Sequence, residues 1–205
     1  MVEVIRFPGT VEWSGENPGI FLRSGRDGPF TTLATFFRVV LSPHGRGHAL
    51  VLVQPSTEFL RTPAVCLYDN EPLARWLVTE FVSKFGAFQG VAGLRSLLYR
   101  KLDTVESSGD PRSIYSETVK AGDLTITLTW SGLGVPFCFA NPPELSATGV
   151  HHMPSLFIGC LDASILVNGK RLPGSTIPRE VAGRKITSAM LAFSETWIRA
   201  EPGSP

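Results

Sequence analysis

The chain has few of the residues that announce a chemistry. Its 205 residues include three cysteines, four histidines and three methionines, and only 18% are charged. No CxxC pair occurs, which excludes a zinc knuckle or a thioredoxin-like redox pair built on that spacing. GxSxG, HExxH, P-loop and GxGxxG patterns are also missing. The glycine-rich GAFQGVAG, with Gly86, Gly90 and Gly93, fits none of the phosphate-binding spacings and reads as a break between two helical turns. Neither sign of charge is in excess: the formal net charge is +1, so no global field draws the chain to nucleic acid or to an anionic membrane. The 14 Arg and five Lys are spread along the chain without a cluster. No apolar run reaches the roughly 18 residues that a membrane helix needs. The opening MVEVIRFPG places Glu3 and Arg6 where a signal peptide would be apolar. Cys66, Cys138 and Cys160 each sit in an apolar run, as buried free thiols do. A soluble, cytoplasmic chain with reduced thiols, no cofactor, no metal, no nucleic-acid partner and no membrane partner is therefore expected.

What is present is a large apolar fraction, 43%, together with 36 Gly and Pro residues. The first is enough to bury a core, and the length fits a single domain over residues 1–205. The second calls for many turns between short elements. Periodicity of two dominates. Leu124, Ile126, Leu128 and Trp130 alternate with Asp123 and three threonines, a half-buried strand that pairs with Ser113–Val119 across the turn at Lys120-Ala121-Gly122. A second hairpin joins Phe30–Leu41 to His48–Gln54. Further strands are expected at Val2–Phe7, Thr10–Ser14, Gly19–Arg23, Ala64–Tyr68, Val135–Ala140, Ser155–Val167 and Thr187–Arg199, with a tight turn at Asn168-Gly169.

One region has helical spacing. Leu73, Trp76, Leu77, Phe81 and Phe85 fall on one face, Asp69 or Asn70 can cap the start, and Pro72 suits the first turn. A second helical stretch is expected over Val91–Leu102, an exposed loop over residues 103–112, and a frayed tail at EPGSP. Phe30–Leu41 is apolar on both faces, with Phe30, Ala34, Phe36 and Val40 on one and Leu33, Phe37, Val39 and Leu41 on the other. Such a strand needs cover on both sides. The fold class read from this is mainly β, an antiparallel barrel or strongly curved sheet of eight to ten strands with one helical insertion around residues 70–102. In architecture alone the pattern resembles calycin-type small-molecule-binding barrels. CLYDNEPLARWL and AFSETWIR, its most distinctive segments, match no family motif.

Candidate site residues come from polar groups embedded in these strands, because burial of an unpartnered charge costs several kcal/mol. Arg38 shares its face with Phe36 and Val40, and Tyr115 neighbours Glu117. Glu195 alternates with Phe193 and Trp197 in the last strand. If this face points inward, Glu195 is a buried carboxyl whose pKa rises unless Arg38 or Arg199 compensates. Glu195, His151 and His152 are thus the candidate acid–base groups. Arg38, Tyr115, Phe36, Trp130 and Trp197 are the candidate ligand-binding set. His44 and His48 flank Pro43, Gly45 and Gly47, so they lack helical zinc spacing and read as turn histidines. Two functions are expected from this composition. One is a pocket for a small apolar or aromatic molecule, as a binder or as a cofactor-independent isomerase, cyclase, lyase or decarboxylase. The other is a non-catalytic assembly protein whose second apolar face is covered by another subunit, such as a homodimer partner.

Overall fold

The computed structural model describes residues 6–201, so most of the strand expected at Val2–Phe7 and of the terminal tail lies outside the described residues. Five strands precede the α-helix: β1 (Gly9–Glu16), β2 (Gly19–Arg23), β3 (Phe30–Leu41), β4 (Gly47–Val53) and β5 (Val65–Tyr68). The helix α1 spans Glu71–Glu80. After it come β6 (Leu98–Lys101), β7 (Thr104–Asp110), β8 (Ile114–Ala121), β9 (Leu124–Ser131), β10 (Phe137–Asn141) and β11 (His151–Gly159). The chain closes with β12 (Asp162–Val167), β13 (Lys170–Arg171), β14 (Pro178–Val181), β15 (Arg184–Thr187) and β16 (Ala189–Ala200). The fold is mainly β, and no helix among the described residues is long and apolar enough to cross a membrane.

The larger sheet runs β10-β11-β16-β1-β3-β4-β5-β6, and β2 also joins β16 and β3. Its pairings are antiparallel except the one between β5 and β6. The smaller sheet runs β13-β12-β9-β8-β7, and β14 with β15 forms a separate hairpin. Each ladder ends on two edge strands, so the hydrogen bonding is that of packed sheets with free ends. The two-faced strand β3 explains the layering. Ala34 and Phe36 point to the smaller sheet, where they meet Ile126, Leu128 and Trp130. Leu33, Phe37 and Val39 point the other way, against Leu73, Leu77 and Phe81. The second apolar face is therefore covered by the chain's own helical segment. Full burial of each such side chain contributes about 1.5–3 kcal/mol.

The helix forms for the reasons its sequence gives. Asn70 Oδ1 accepts from the Leu73 amide at 3.2 Å, proline occupies the first turn, and Leu73, Ala74, Leu77 and Val78 are buried on one side. It ends at Glu80, short of the expected Phe85, and continues as a 3-10 turn over Val82–Lys84.

Several expectations are corrected. Residues 91–102 are a 3-10 turn, Ala92–Ser96, followed by strand β6. Residues 104–110 form the edge strand β7, not a loop. Ser155–Val167 divides at Cys160-Leu161 into β11 and β12, which belong to different sheets. Among the described residues the strands number sixteen, because several are only two to five residues long. Cys66 and Cys160 are buried, but Cys138 is exposed because it alternates with Phe137 and Phe139 on a one-sided edge strand.

Candidate functional site

The site is built where a strand is interrupted. β1 and β2 lie end to end between β3 and β16. Gly15 pairs with Glu195 and Val39, whereas Gly19 pairs with Met190 and Thr35. Asn17 and Pro18 bridge the two pieces. The Asn17 amide still donates to the Ala192 carbonyl at 2.9 Å, and the Pro18 carbonyl accepts from Phe36 at 2.9 Å. The ladder thus survives the break, while the Asn17 side chain is freed to link both neighbours. Thr35 Oγ1 on β3 donates to Asn17 Oδ1 at 2.5 Å, and Asn17 Nδ2 donates to Glu195 Oε1 on β16 at 3.3 Å.

A bulge aims the carboxyl. Leu156 pairs with Ser194 but Phe157 pairs with Ala192, leaving Phe193 as an extra residue on β16. Before the bulge, Leu191 belongs to the core between the sheets and Ala192 to the opposite face. After it the parity switches, so Glu195 and Trp197 fall on the same side as Met190. Unbroken alternation would have put Glu195 in the core with Leu191. A second register shift does the same on β3: Leu22 pairs with Thr32 and Arg23 with Phe30. Phe30 accordingly leaves the Phe36 face, where alternation had placed it, and lies under the Arg23 guanidinium at 4.1 Å.

These side chains line a cleft of about 480 Å³. Phe21, Phe30, Phe157, Met153, Met190 and Trp197 supply an apolar and aromatic wall. The turn Phe85–Ala87, the loop around Leu145 and the β14–β15 hairpin frame its opening. Glu195 is only 3% exposed. Its Oε1 accepts from Trp197 Nε1 at 2.6 Å as well as from Asn17, and among the described residues Oε2 has no partner. Burial pushes the carboxyl up to about 7, against the opposing effect of the two donors. The arrangement is a carboxyl anchored by one oxygen, with a second oxygen free to give or take a proton near neutral pH.

Of the candidate residues, the structure brings Glu195 and Trp197 to this cleft and leaves the others elsewhere. Arg38 lies between Glu16 and the fully buried Glu117, 2.9 Å from the latter, and the Tyr115 hydroxyl donates to the same Glu117 at 2.8 Å. That cluster joins the two sheets. Phe36 and Trp130 are core side chains between the sheets, and Trp130 Nε1 donates to the Gly19 carbonyl at 3.1 Å. His151 is buried with both nitrogens engaged, Nδ1 with Thr148 at 2.6 Å and Nε2 with Glu12 at 2.9 Å. Desolvation holds its pKa below the usual histidine value despite the Glu12 carboxylate. His152 packs against Phe7 at 5.5 Å. Neither Arg38 nor Arg199 compensates Glu195, since Arg199 pairs with Glu12.

Asn17, Arg23, Ser188 and Arg179 belong to the cleft and were not among the candidates. The signal for Asn17 was the Asn-Pro dipeptide between two strand segments. Among the described residues no group of three or more His, Cys, Asp or Glu side chains could hold a metal ion. His44 packs on Trp76 and His48 pairs with Asp69. No protein-family model, curated protein or solved structure matches the chain.

Proposed function

We propose that this cleft takes a small molecule with an apolar or aromatic body, and that Glu195 moves a proton on it. The observation that carries the reading is the free Oε2 of a carboxyl buried at the base of an aromatic-lined cavity, poised near neutrality. Such a group can remove a proton from carbon and return it elsewhere, the step shared by isomerisation and many eliminations. Trp197 and Asn17 hold Oε1 and stabilise the carboxylate that forms when the proton leaves. The apolar side chains around Glu195 lower the local polarity, which strengthens each of these interactions. The reading requires no cofactor beyond the side chains themselves.

A thermal-shift and native mass-spectrometry screen of small aromatic and alicyclic compounds tests occupancy. Bound compounds are then incubated with the protein in D2O, and C–H exchange is followed by NMR. Wild-type protein should accelerate exchange, whereas Glu195→Gln should bind the same compounds without exchanging them. Failure of the whole panel to bind refutes the pocket reading. Equal exchange by both proteins refutes the role of Glu195.

A further inference from the structure

The cleft has a charge pattern that narrows its ligand. Its one carboxyl lies at the base and two guanidinium groups, from Arg23 and Arg179, lie in its wall. Neither arginine forms an ion pair among the described residues, in contrast to Arg38, Arg75, Arg100, Arg171 and Arg199. Arg23 donates from Nη1 to the Gly28 carbonyl at 3.1 Å and stacks on Phe30, which fixes its plane. Its Nε is buried and has no hydrogen-bond partner. Nη2 forms no hydrogen bond among the described residues and is the donor left for a ligand's acceptor. Arg179 stands on β14 of the flanking hairpin, whose Ile186 packs against Gly159 of β11. Arg179 is exposed on that hairpin, and among the described residues no carboxylate pairs with its guanidinium.

We infer that the ligand of this cleft carries an anionic group, a carboxylate or a phosphate, which Arg23 and Arg179 hold while its apolar body meets the aromatic wall. This rests on the pocket reading above and adds the substrate class. Guanidinium is the side chain whose planar fork matches both anions. The division of charge also has chemical sense. Below about pH 7, where the carboxyl holds its proton, it does not repel an anion entering the same cleft.

The test uses matched probes: 2-naphthoate, 2-naphthyl phosphate and the uncharged 2-naphthamide, titrated by calorimetry at low salt. Inorganic phosphate alone serves as the fourth probe. The inference expects at least one naphthyl anion to bind about tenfold or more tighter than the amide, as charge-assisted hydrogen bonds to arginine provide. Arg179→Gln, on the exposed side of a hairpin, should remove most of this preference and leave amide binding unchanged. Arg23→Lys, which retains the charge but not the fork, should reduce it as well, with an unaltered Tm confirming the fold. The two anions separate the carboxylate from the phosphate, and weak binding of inorganic phosphate shows that the apolar body contributes. If amide and anions bind equally, or the preference survives Arg179→Gln and Arg23→Lys, the anion inference is overturned while the pocket reading stands. If no naphthyl probe binds, both fall.

Discussion

Glu195→Gln isolates the energetics of the site, because glutamine copies the shape of the protonated carboxyl. Its amide oxygen can accept from Trp197 and Asn17 as Oε1 does, and its nitrogen takes the place of Oε2 in the cleft. In the folded protein burial raises the carboxyl from 4.5 to about 7. The folded state therefore keeps its proton to higher pH than the unfolded chain. Between the two values the unfolded state binds fewer protons, so stability falls as pH rises. The loss is complete above the folded value and amounts to about 3 kcal/mol. Glutamine does not titrate. It should match wild type at pH 4 to 4.5 within about 0.5 kcal/mol and exceed it by about 3 kcal/mol at pH 8. Urea denaturation of both proteins across this range, followed by tryptophan fluorescence, provides the difference curve. Subtraction cancels His151 and every other group common to both. A difference that stays flat with pH would refute the assignment of a raised carboxyl pKa. A glutamine variant less stable than wild type at pH 8 would refute it too.

Trp197→Phe removes an indole donor that favours the carboxylate, so the titration of Glu195 should move upward from about 7; the difference curve between Trp197→Phe and Trp197→Phe/Glu195→Gln measures it, and an unmoved midpoint would show that the 2.6 Å hydrogen bond carries no weight. Arg38→Met strips the cation from Glu117, which is fully buried, and should cost about 3–5 kcal/mol. Adding Glu117→Gln should recover part of that loss in chemical denaturation; simple additivity of the two changes would mean the pair is not coupled. Native protein should expose one thiol, Cys138, to Ellman's reagent, with Cys66 and Cys160 reacting only in denaturant. Burial holds those two at about 12 and 11, so fast reaction of all three in the native state would contradict the packing.

The alternation of apolar residues made β2, β3 and the β8–β9 hairpin legible almost to the residue, because each buries at least one regular face. β7 was not legible. Its Thr-Val-Glu-Ser-Ser-Gly-Asp is nearly all polar, and an edge strand with both faces wet leaves no period to read. The leucines at 94, 97, 98 and 102 imitate helical spacing, yet Leu98 is exposed on a strand that adds parallel to β5. The β14–β15 hairpin turns on Ala182-Gly183, both at positive φ, and alanine gives no hint of that conformation. Glu195 was legible for a sound reason, a carboxyl inside an apolar strand. Its setting was not, since a bulge erases the parity from which the inward face is inferred. The cations nearest in sequence pattern, Arg38 and Arg199, are occupied by Glu16, Glu117 and Glu12 instead.

Three departures from regular β structure meet at this one place: the break at Asn17-Pro18, the bulge at Phe193 and the register shift beside Phe30. Each departs from regular pairing in the central part of the larger sheet. Their effects are not independent. The break frees the Asn17 amide to hold Oε1, the bulge turns Glu195 and Trp197 out of the core, and the shift brings Phe30 beneath Arg23. Remove the bulge and the carboxyl enters a core of Leu191, Ile165 and Trp130, where it has no use and no partner. Remove the break and one of the two donors to Oε1 is lost. β1 carries two further register shifts, at Val11/Trp13 and Ser14/Gly15, among residues that do not line the cleft, so irregular pairing alone marks no site; these three differ in turning side chains toward one cleft. Their coincidence around one ionisable group, and not its size, separates this cleft from the other surface depressions, several of which are larger.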